Sequence, residues 1–344
     1  MRLAIDVMGG DNAPDAVLKG CVEALTLLAP EDRLILIGDE PLIRELLEEF
    51  GCTDDRLIVE HASEVIDMSD SPAKAVRGKP DSSIVRMALR GSRKHDDPVD
   101  GIISAGNTGA CVAASIMHMK RLPGVHRPGI AVTIPAFHGP VVLCDAGANP
   151  EPTAVHLWQY GVMADVYARG TLGIENPRVA LMNIGAEEGK GSDLIRQTRD
   201  LLRNTPDLNF IGFVEGRDFF DGVADVIITD GFVGNTVLKM AEGLAKSIFA
   251  AIAQEVFDAD PNLALQFEPV VKQIYAKNDY HEYGGAPLLG VNGSCFISHG
   301  SSESRTIKAA IRNARDYVTN HVNDEIAARI QSLEQAAAPQ REPA

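Results

Sequence analysis

The sequence predicts an α/β fold in which a mostly parallel sheet is covered by helices on both faces, as a three-layer sandwich. Short aliphatic runs alternate with amphipathic helical stretches along the 344 residues, a glycine-rich or polar turn follows each run, and only 5% of the residues are aromatic. Because aromatic residues are sparse, the core must consist mainly of Val, Ile, Leu and Ala. Such a core is typical of buried parallel strands and not of an aromatic-rich β-sandwich. Because parallel strands carry binding loops at their carboxyl ends, we expect the chemistry in these turns.

Six strands are predicted from the apolar runs, each bounded by turn residues. They are Leu3–Val7, Leu34–Ile37, Gly101–Ser104, Val141–Cys144, Val179–Ile184 and Val226–Thr229. The helix after the second strand begins near Pro41, where proline suits the first helical turn. No fixed sequence period accompanies the alternation, which argues against a solenoid.

Two longer segments show helical rather than alternating patterns. The pattern over residues 240–278 predicts a helical segment that is broken at Asp258–Pro261, and the pattern over residues 302–335 predicts one long C-terminal helix. We therefore predict a single α/β domain over residues 1–335 that contains the helical element. Residues 336–344 are predicted to form a short disordered tail.

The composition narrows the class of function. With 48 acidic and 32 basic residues the formal net charge is −16, which disfavours nucleic acid as a partner. The five cysteines are scattered and form no CxxC pair, which is typical of a protein from a reducing compartment. The chain opens directly on a strand-like run, so we expect no signal peptide, and its apolar stretches are too short to predict a spanning helix.

The loop Gly185–Ser192 is the strongest candidate for an anion site. It follows a predicted strand and precedes a helix, so amides such as those of Gly189 and Gly191 would face a bound phosphate. It nearly matches a nucleotide-binding P-loop, but its glycines are one residue too close, and Gly191 stands where that motif needs a metal-binding hydroxyl. The alternatives left open are an anion cradle that contains Lys190 and a flexible turn with a solvated lysine.

Two further loops place amide and hydroxyl donors beside glycines. Asn107, Thr108 and Gly109 follow the third predicted strand, whereas Gly234 and Asn235 follow the sixth. Such donors suit a phosphate or a thioester oxygen. The alternative is helix capping, for which Asp, Asn and Thr are favoured whatever the function. Several such loops at strand ends favour the functional interpretation.

The first strand ends in another glycine-rich turn, with Asp6 and Asp11 around Gly9 and Gly10. The two carboxylates are candidate metal ligands, but carboxylates in one loop more often cap and orient the backbone. The turn Asp145–Pro150 after the fourth strand is similar. The nine histidines include no closely spaced ligand pair such as HExxH, so no metal is expected.

Motifs of other enzyme classes are missing from the sequence. A GxGxxG fingerprint does not occur, so a nicotinamide cofactor in the usual binding mode is unsupported, and no GxSxG elbow supports a serine hydrolase. Basic residues cluster at Arg90–His95 and at His118–Arg127. Such runs suit either docking patches for an acidic protein or solvated faces, and we favour solvated faces.

Five motifs occur in order along the chain: Asp6–Asp11 (DVMGGD), Ser104–Ala110 (SAGNTGA), Asp145–Asn149 (DAGAN), Asn183–Gly191 (NIGAEEGKG) and Asp230–Asn235 (DGFVGN). With these motifs the chain resembles the PlsX family, the acyl-carrier-protein:phosphate acyltransferases of bacterial phospholipid synthesis. The resemblance covers about residues 1–330, and no departure is seen within the five motifs.

The resemblance implies a Rossmann-like fold similar to phosphotransacetylases and isopropylmalate dehydrogenases, a homodimer, and no metal or organic cofactor. It implies a long-chain acyl group carried by acyl carrier protein, inorganic phosphate as acceptor, and an acyl phosphate that passes to a membrane glycerol-3-phosphate acyltransferase. It also implies a cytoplasmic location, peripherally on the inner face of the membrane. Carried over by motif, Lys190 and Asn235 are the catalytic candidates.

Phosphate is itself a nucleophile near neutral pH, so the hypothesis needs no serine or cysteine nucleophile. In it, Lys190 stabilises the charge of the phosphate or the oxyanion, and Asp230 orients Lys190 or its loop. Asn235 donates hydrogen bonds to the oxyanion, with Asn107 as a weaker candidate. The predicted phosphate- or thioester-binding residues are Asp6, Gly9, Gly10, Asn107, Thr108, Gly109, Asn149, Gly189, Gly191 and Gly234.

Three other functions stay open at this point. A short-chain phosphotransacetylase that uses coenzyme A would share both fold and chemistry, and an isopropylmalate-type dehydrogenase would need a divalent metal. A non-catalytic scaffold that recruits an acidic carrier protein would not need five glycine-rich turns. Separately, the apolar residues after the predicted helix break suit either a membrane interface or a dimer interface. These residues are Leu263, Leu265, Phe267, Val270, Val271 and Ile274.

Overall fold

The computed structural model describes residues 1–260, 265, 268–270, 274 and 283–337. Within them, one sheet of eleven strands has the order β3-β2-β1-β4-β11-β10-β5-β6-β9-β7-β8. The strands are β1 Arg2–Asp6, β2 Arg33–Gly38, β3 Leu57–His61, β4 Gly101–Ser104, β5 Gly129–Ile134, β6 Val141–Cys144, β7 Val179–Met182, β8 Phe210–Val214, β9 Val226–Ile228, β10 Ala286–Leu289 and β11 Ser294–Ile297. The predicted α/β class is confirmed.

Ten α-helices are numbered within the described residues. They are α1 Asp15–Ala24, α2 Glu40–Glu49, α3 Pro72–Gly78, α4 Ser83–Arg90, α5 Thr108–Ala114, α6 Ala154–Leu172, α7 Asp193–Arg203, α8 Gly231–Ala259, α9 Ser304–Thr319 and α10 Val322–Ala337. A π-helical turn, Ser115–Met119, continues α5. None of the described helices combines the length and apolarity needed to cross a membrane.

The strand directions divide the sheet into two parallel halves. β3, β2, β1, β4 and β11 run parallel in one half, and β6, β9, β7 and β8 run parallel in the other. Between them lie three antiparallel pairings, β11 with β10, β10 with β5 and β5 with β6. An odd number of antiparallel pairings reverses the direction, so β1 and β4 end at one end of the sheet, which we call the upper end. The strands β6, β7 and β9 finish at the opposite, lower end.

The helices cover both faces of the sheet. On one face, α1, α2, α6, α7, α9 and α10 pack over the largest apolar cluster, which includes Leu18, Tyr160 and Ile307. On the other face, which we call the front face, α3, α4 and α5 pack at the first half and α8 packs at the second. Val132 of β5 contacts the front clusters of both halves, which shows that they share this face.

All six predicted strands are confirmed, and five strands were missed. β3 and β8 are half-exposed strands at the borders of the sheet, β10 contains Pro287, and β11 begins with Ser294 and Cys295. Half-exposed runs and runs poor in β-branched residues give a weak strand signal. β5 was also missed, and with β10 it supplies the antiparallel pairings that divide the sheet.

The helical predictions need two corrections. The predicted C-terminal helix over residues 302–335 is two helices, α9 and α10, because the chain leaves the helix at Asn320 and His321, whose φ is +52°. α8 is longer than predicted, and it ends where Asp260 becomes extended, as expected for a residue that precedes a proline.

Two of the predicted stretches are described only in part. Of the second helical stretch only Leu265, residues 268–270 and Ile274 are described, and they are helical. Leu263, Phe267 and Val271 lie outside the described residues. In the predicted tail, Ala336 and Ala337 belong to α10, and residues 338–344 lie outside the described residues.

Candidate active site

A buried carboxylate organises the loop after β6. Asp145 is fully buried, and its Oδ1 accepts hydrogen bonds from the amides of Ile130, Gly147 and Ala148, while its Oδ2 accepts one from Asn149 at 2.6 Å. Burial raises the pKa of this carboxyl group, and the four amides oppose the rise. The side chain therefore shapes the loop from within and is not exposed to a ligand.

The start of α8 packs directly on this loop. The Gly231 amide donates to the Asn149 carbonyl at 2.9 Å, and a Cβ on Gly234 would overlap the Asp145 carbonyl oxygen. A side chain at position 234 would push the helix away from the loop. Gly234, predicted to bind phosphate or thioester, thus serves the close approach of two backbones.

Asn235 projects from this junction. Its side chain is exposed, and a Cβ on Gly147, whose φ is +129°, would come within 3.6 Å of the Asn235 Cβ. Within the described residues no hydrogen bond to its carboxamide is recorded. The amide group is therefore available as a donor beside the β6 loop. Asn149, another predicted binding residue, instead directs its side-chain amide to the Tyr160 hydroxyl at 3.4 Å.

Lys190 lies in the loop after β7, and its side chain is exposed. β7 pairs directly with β9, with Leu181 opposite Ile228, so the loops that carry Lys190 and Asn235 leave neighbouring parallel strands at the lower end of the sheet. In the described part of the chain, no ion pair or side-chain hydrogen bond of Lys190 is recorded. Its ammonium group is therefore available to an anion.

The loop around Lys190 has its own supports. The Lys190 amide closes a turn onto the Glu187 carbonyl at 3.0 Å, and Gly191 has a φ of +90° beside the Asn183 side chain. The Glu188 carboxylate pairs with Arg203, which lowers its pKa, and with Arg199. These arginines offset an acidic side chain near the lysine.

Asp230 caps α8 by accepting a hydrogen bond from the Val233 amide at 2.8 Å. The predicted orientation of Lys190 by Asp230 has no counterpart among the recorded contacts of the described residues. The carboxylate fixes the first turn of the helix that carries Asn235, so it acts on the site through that helix.

At the upper end, Asp6 organises the loop after β1. It is fully buried, and it accepts a hydrogen bond from the Ser104 hydroxyl at 2.7 Å and another from the Met8 amide at 3.2 Å. A Cβ on Gly9 would overlap the Asp6 carboxylate. Burial raises the pKa of Asp6. Because this carboxylate is fully buried, and because an ionised carboxylate would repel phosphate, the predicted direct contact of Asp6 with phosphate is not supported.

Asn107 is used within the protein. Its Oδ1 accepts from the Ala110 amide, which caps α5, and its amide group lies 3.1–3.3 Å from the carbonyls of Asp67, Met68 and Asp70. Both ends of the side chain are therefore engaged, and it is only 6% exposed. The predicted role of Asn107 as an oxyanion donor gives way to a role in holding the 67–70 loop.

The other predicted upper residues have mixed environments. Thr108 is exposed at the first position of α5, and a Cβ on Gly109 would meet Pro72 of α3 at 2.6 Å. Gly10 has a φ of +116° and packs on the Gly300 and Ala105 carbonyls. Gly109 and Gly10 therefore permit close packing, and contact with a substrate stays a prediction for both.

The two ends of the sheet are connected across the front face. α8 starts at the lower end, and two turns along it the Lys239 ammonium lies 2.6 Å from Nε2 of His299, which follows β11 at the upper end. The His299 loop is joined to the β1 loop, since the Asp11 amide donates to the Gly300 carbonyl at 2.7 Å. The predicted loops thus form two groups at opposite ends of the sheet, joined by α8.

Sequence reasoning missed Asp145 as the organising carboxylate, and it missed Lys239 and His299. Lys239 follows Asn235 by four residues and therefore shares its helical face. His299 stands in a Ser-His-Gly-Ser run after an apolar strand, which is the signal used for the other loops. Among the described residues no group of three His, Cys, Asp or Glu side chains is arranged to hold a metal.

Comparison with known proteins bears on the family. The family model described as "Fatty acid synthesis protein" matches residues 1–325. The chain belongs to this family. Relatives named "Phosphate acyltransferase" include those of Desulfitobacterium hafniense, 45% identical over 330 residues (95% of this chain, 96% of the relative), and Dictyoglomus turgidum, 41% identical over 329 residues (95% and 96%). The resemblance to the PlsX family, which was inferred from the five sequence motifs, is confirmed.

Solved structures support the fold of this family member. A phosphotransacetylase from Streptococcus pyogenes aligns with a TM-score of 0.62 at 16% identity and covers 97% of this chain and 94% of its own. The EutD phosphotransacetylase of Staphylococcus aureus aligns with a TM-score of 0.57 at 14% identity, covering 92% and 94%. At such identities the likeness concerns the fold alone, and it confirms the predicted phosphotransacetylase-like architecture.

Proposed function

We propose that this chain transfers a long-chain fatty acyl group reversibly from the thioester of acyl carrier protein to inorganic phosphate, forming an acyl phosphate for phospholipid synthesis. The observation that carries the proposal is the lower-end group, in which an exposed carboxamide and an exposed ammonium, Asn235 and Lys190, leave neighbouring strands. A pair of this kind suits a phosphate acyltransferase, which must hold an anion beside a polarised carbonyl.

The reaction balances without a group supplied from outside. An oxygen of HPO₄²⁻ attacks the thioester carbonyl carbon, a C–O bond forms, and the carbonyl oxygen becomes an oxyanion. When the oxyanion collapses, the C–S bond breaks and the carrier thiolate leaves with the electron pair. The proton of the phosphate ends on the sulfur, so the products are acyl phosphate and free thiol.

Asn235 is assigned to the oxyanion. Its amide group is an uncharged donor that is fixed on a helix, and the helix is locked to the Asp145 loop through Gly231 and Gly234. A donor that is held in place before the reaction loses little free energy to reorganisation as charge develops on the carbonyl oxygen. The rigid junction therefore serves the positioning of this one side chain.

Lys190 is assigned to phosphate charge. The loop that carries Lys190 ends at Ser192, whose hydroxyl accepts a hydrogen bond from the Ile195 amide and caps α7. The loop amides before Ser192 therefore precede the helix and are not part of it. With the acidic Glu188 paired to arginines, the Lys190 ammonium contributes a positive charge on a chain of formal net charge −16. Local charge of this kind attracts an anion that the whole molecule repels.

The decisive experiment incubates the pure protein with palmitoyl acyl carrier protein and [³²P]phosphate and measures radioactive acyl phosphate in an organic extract, with free carrier thiol counted in parallel. We expect equal amounts of the two products. Release of thiol without labelled acyl phosphate would mean thioester hydrolysis, and no release would overturn the proposal.

A short-chain phosphotransacetylase is the second candidate, because both solved structures cited for the fold carry that name. The same assay with acetyl coenzyme A separates the two. Product from palmitoyl carrier protein and none from acetyl coenzyme A supports the long-chain function. The reverse result supports the rival. A dehydrogenase would reduce a nicotinamide dinucleotide in the presence of isopropylmalate and a divalent metal, and we expect no reduction.

We further propose that the chain is a homodimer whose contact includes α8. Met240, Leu244, Ile248 and Ile252 recur every four residues along this helix and are 40–69% exposed. A regular apolar stripe on a helix of 29 residues is costly to leave in water, and a second copy covers such a stripe symmetrically. The acyl phosphate would then pass to a glycerol-3-phosphate acyltransferase in the membrane, with this protein held peripherally at the inner face.

The dimer and the membrane contact are separable. Leu244→Glu/Ile248→Glu protein is expected to elute as a monomer in size exclusion with light scattering, while Lys246→Glu on the same helix stays dimeric. Binding to anionic phospholipid vesicles is measured by co-sedimentation on the same proteins. If the double variant stays dimeric but loses vesicle binding, the stripe faces lipid instead.

A further inference from the structure

We propose that Lys239 and Ser301, held beside each other by His299, form a second set of ligands for phosphate oxygens, so that the substrate phosphate is held between α8 and the loop after β11. The inference rests on the proposed function and adds residues to it. It takes ligands from both halves of the sheet: Lys239 comes from α8 of the lower half, and Ser301, with His299 beside it, comes from the loop after β11 of the upper half.

Lys239 is placed for this role by the helix. It follows Asn235 by one turn, so the Cβ atoms lie about 6 Å apart on one face of α8. An ammonium group has three donor hydrogens. One points to the Glu242 carboxylate at 2.8 Å and one to His299 Nε2 at 2.6 Å. Within the described residues no third acceptor is recorded, so one donor remains for a ligand next to the Asn235 carboxamide.

His299 is held from both sides. Its Nε2 faces the Lys239 ammonium at 2.6 Å, while its Nδ1 accepts a hydrogen bond from the Ser301 amide at 3.2 Å and lies 2.8 Å from the Ser301 hydroxyl oxygen. The ring thereby holds Lys239 and Ser301 beside each other. The Ser301 hydroxyl is exposed and is a donor suited to an oxygen anion.

The loop that carries His299 is rigidly fixed. The Ser298 amide donates to the Ser104 carbonyl at 2.8 Å, and the Asn12 side-chain amide lies 3.2–3.3 Å from the carbonyls of Ser301 and Ser302. The loop is thereby tied to the two upper-end loops that the sequence analysis singled out. Their glycines and the buried Asp6 carboxylate would then act by positioning His299 rather than by touching phosphate.

Two side chains in this loop have unused hydrogen-bonding capacity. The hydroxyls of Ser298 and Ser302 are buried, at 3% and 4% residue exposure, and neither has a partner among the described residues. An unpartnered buried hydroxyl lowers the stability of the folded protein, so such groups are uncommon without a reason. Their presence on both sides of His299–Ser301 distinguishes this loop from an ordinary surface turn.

The chemistry of the ligand set points to a phosphoryl group. An ammonium group with a hydroxyl donor held beside it matches the tetrahedral oxygens of phosphate, for which lysine supplies a point charge. Two sources offer such oxygens, the free phosphate substrate and the phosphodiester of the carrier's pantetheine arm. We assign free phosphate, because the Lys239 donor lies one turn from Asn235, where the reacting carbonyl is proposed to bind.

The test compares Lys239→Met, His299→Ala and Ser301→Ala with Lys246→Met, an exposed lysine two turns further along the same helix. Initial rates are measured against phosphate at saturating palmitoyl carrier protein, and against the carrier at saturating phosphate. We expect Lys239→Met to raise KM for phosphate about ten-fold or more, and His299→Ala and Ser301→Ala to raise it several-fold. KM for the carrier should change less than about two-fold, and Lys239→Arg should recover part of the loss.

A second readout needs no turnover. Phosphate should raise the melting temperature of the wild-type protein above that in chloride at equal ionic strength, and Lys239→Met should abolish the rise while Lys246→Met keeps it. A rise in KM for the carrier alone, or an unchanged phosphate shift in Lys239→Met, would overturn the assignment. The two proposals can fail separately. If the wild-type protein made no acyl phosphate, but phosphate raised its melting temperature and did not raise that of Lys239→Met, the proposed function would fail and the phosphate site would stand.

Discussion

The two loop groups, one at each end of the sheet, are both organised by a buried aspartate, but they differ in which polar side chains remain free. In each, an aspartate at the end of a central strand is fully buried and ties a glycine-containing turn to itself, Asp6 at the upper end and Asp145 at the lower end. Asp145 is held by four backbone amides and leaves Asn235 exposed next to it. Asp6 instead accepts a hydrogen bond from the Ser104 hydroxyl, and both ends of the neighbouring Asn107 side chain are hydrogen-bonded to backbone groups.

The difference shows that a polar residue at a strand end is not by itself a functional group. What matters is whether its donors are already used. Asn107 and Asn235 both follow apolar strands and both lie beside glycines, yet only Asn235 keeps a free carboxamide among the described contacts. Substitutions at the two asparagines therefore test the comparison directly.

The largest effect is expected for Asn235→Ala. Loss of one oxyanion donor costs about 10²–10³ in kcat. The side chain has no recorded partner in the described residues, so the free energy of unfolding in urea should stay unchanged. Steady-state turnover with palmitoyl carrier protein and phosphate measures the first quantity. Activity within about three-fold of wild type would remove Asn235 from the mechanism.

Lys190→Met is expected to be the next largest. A charge-assisted contact contributes about 1.5–3 kcal/mol, so kcat/KM for phosphate should fall by about 10–10². Lys74→Met, which removes an exposed lysine from α3, is the matched control and should behave as wild type. Equal losses in both variants would mean that general surface charge, and not the β7 loop, attracts phosphate.

Asn107→Ala should show the opposite pattern. Its loss removes the α5 cap and the support of the 67–70 loop, so the free energy of unfolding should fall by about 2 kcal/mol. The turnover of the folded fraction should stay within about five-fold of wild type. Urea titration and the kinetic assay are run on one preparation. A hundred-fold loss of kcat with full stability would restore Asn107 as an oxyanion donor.

The smallest effect concerns the pH dependence of stability. Burial raises the pKa of Asp6, so ionising it costs more in the folded than in the unfolded protein. Its contribution to stability is therefore present below the unfolded pKa of about 4 and is lost as the pH rises through the folded value. Asp6→Asn should flatten the fall in unfolding free energy above about pH 4, by at most about 1.4 kcal/mol per pH unit. An unchanged slope would show that Asp6 does not titrate in this range.

Much of the fold could be predicted, because buried runs rich in Val, Ile and Leu that end in a turn indicate a strand from the local sequence. The six strongest strands, from β1 to β9, were identified within a few residues. β10 and β11 could not be identified, since β10 contains Pro287 and β11 begins with Ser294 and Cys295, so neither is a run of β-branched residues. These short strands, with β5, decide the direction of the second half. The predicted sheet therefore lacked the antiparallel pairings that place the binding loops in two groups at opposite ends.

The amino-acid sequence alone determined the α/β class, the family and the residues Lys190 and Asn235 as candidates, because these depend on local patterns and ordered motifs. Only the tertiary structure decided which polar groups remain free. Asn107 and Asn235 are chemically identical, and the carbonyl groups that occupy the amide group of Asn107 are 37–40 residues away in the chain. The Lys239–His299 contact spans 60 residues. Such pairings arise from how the sheet folds the chain back on itself, and no local pattern encodes them.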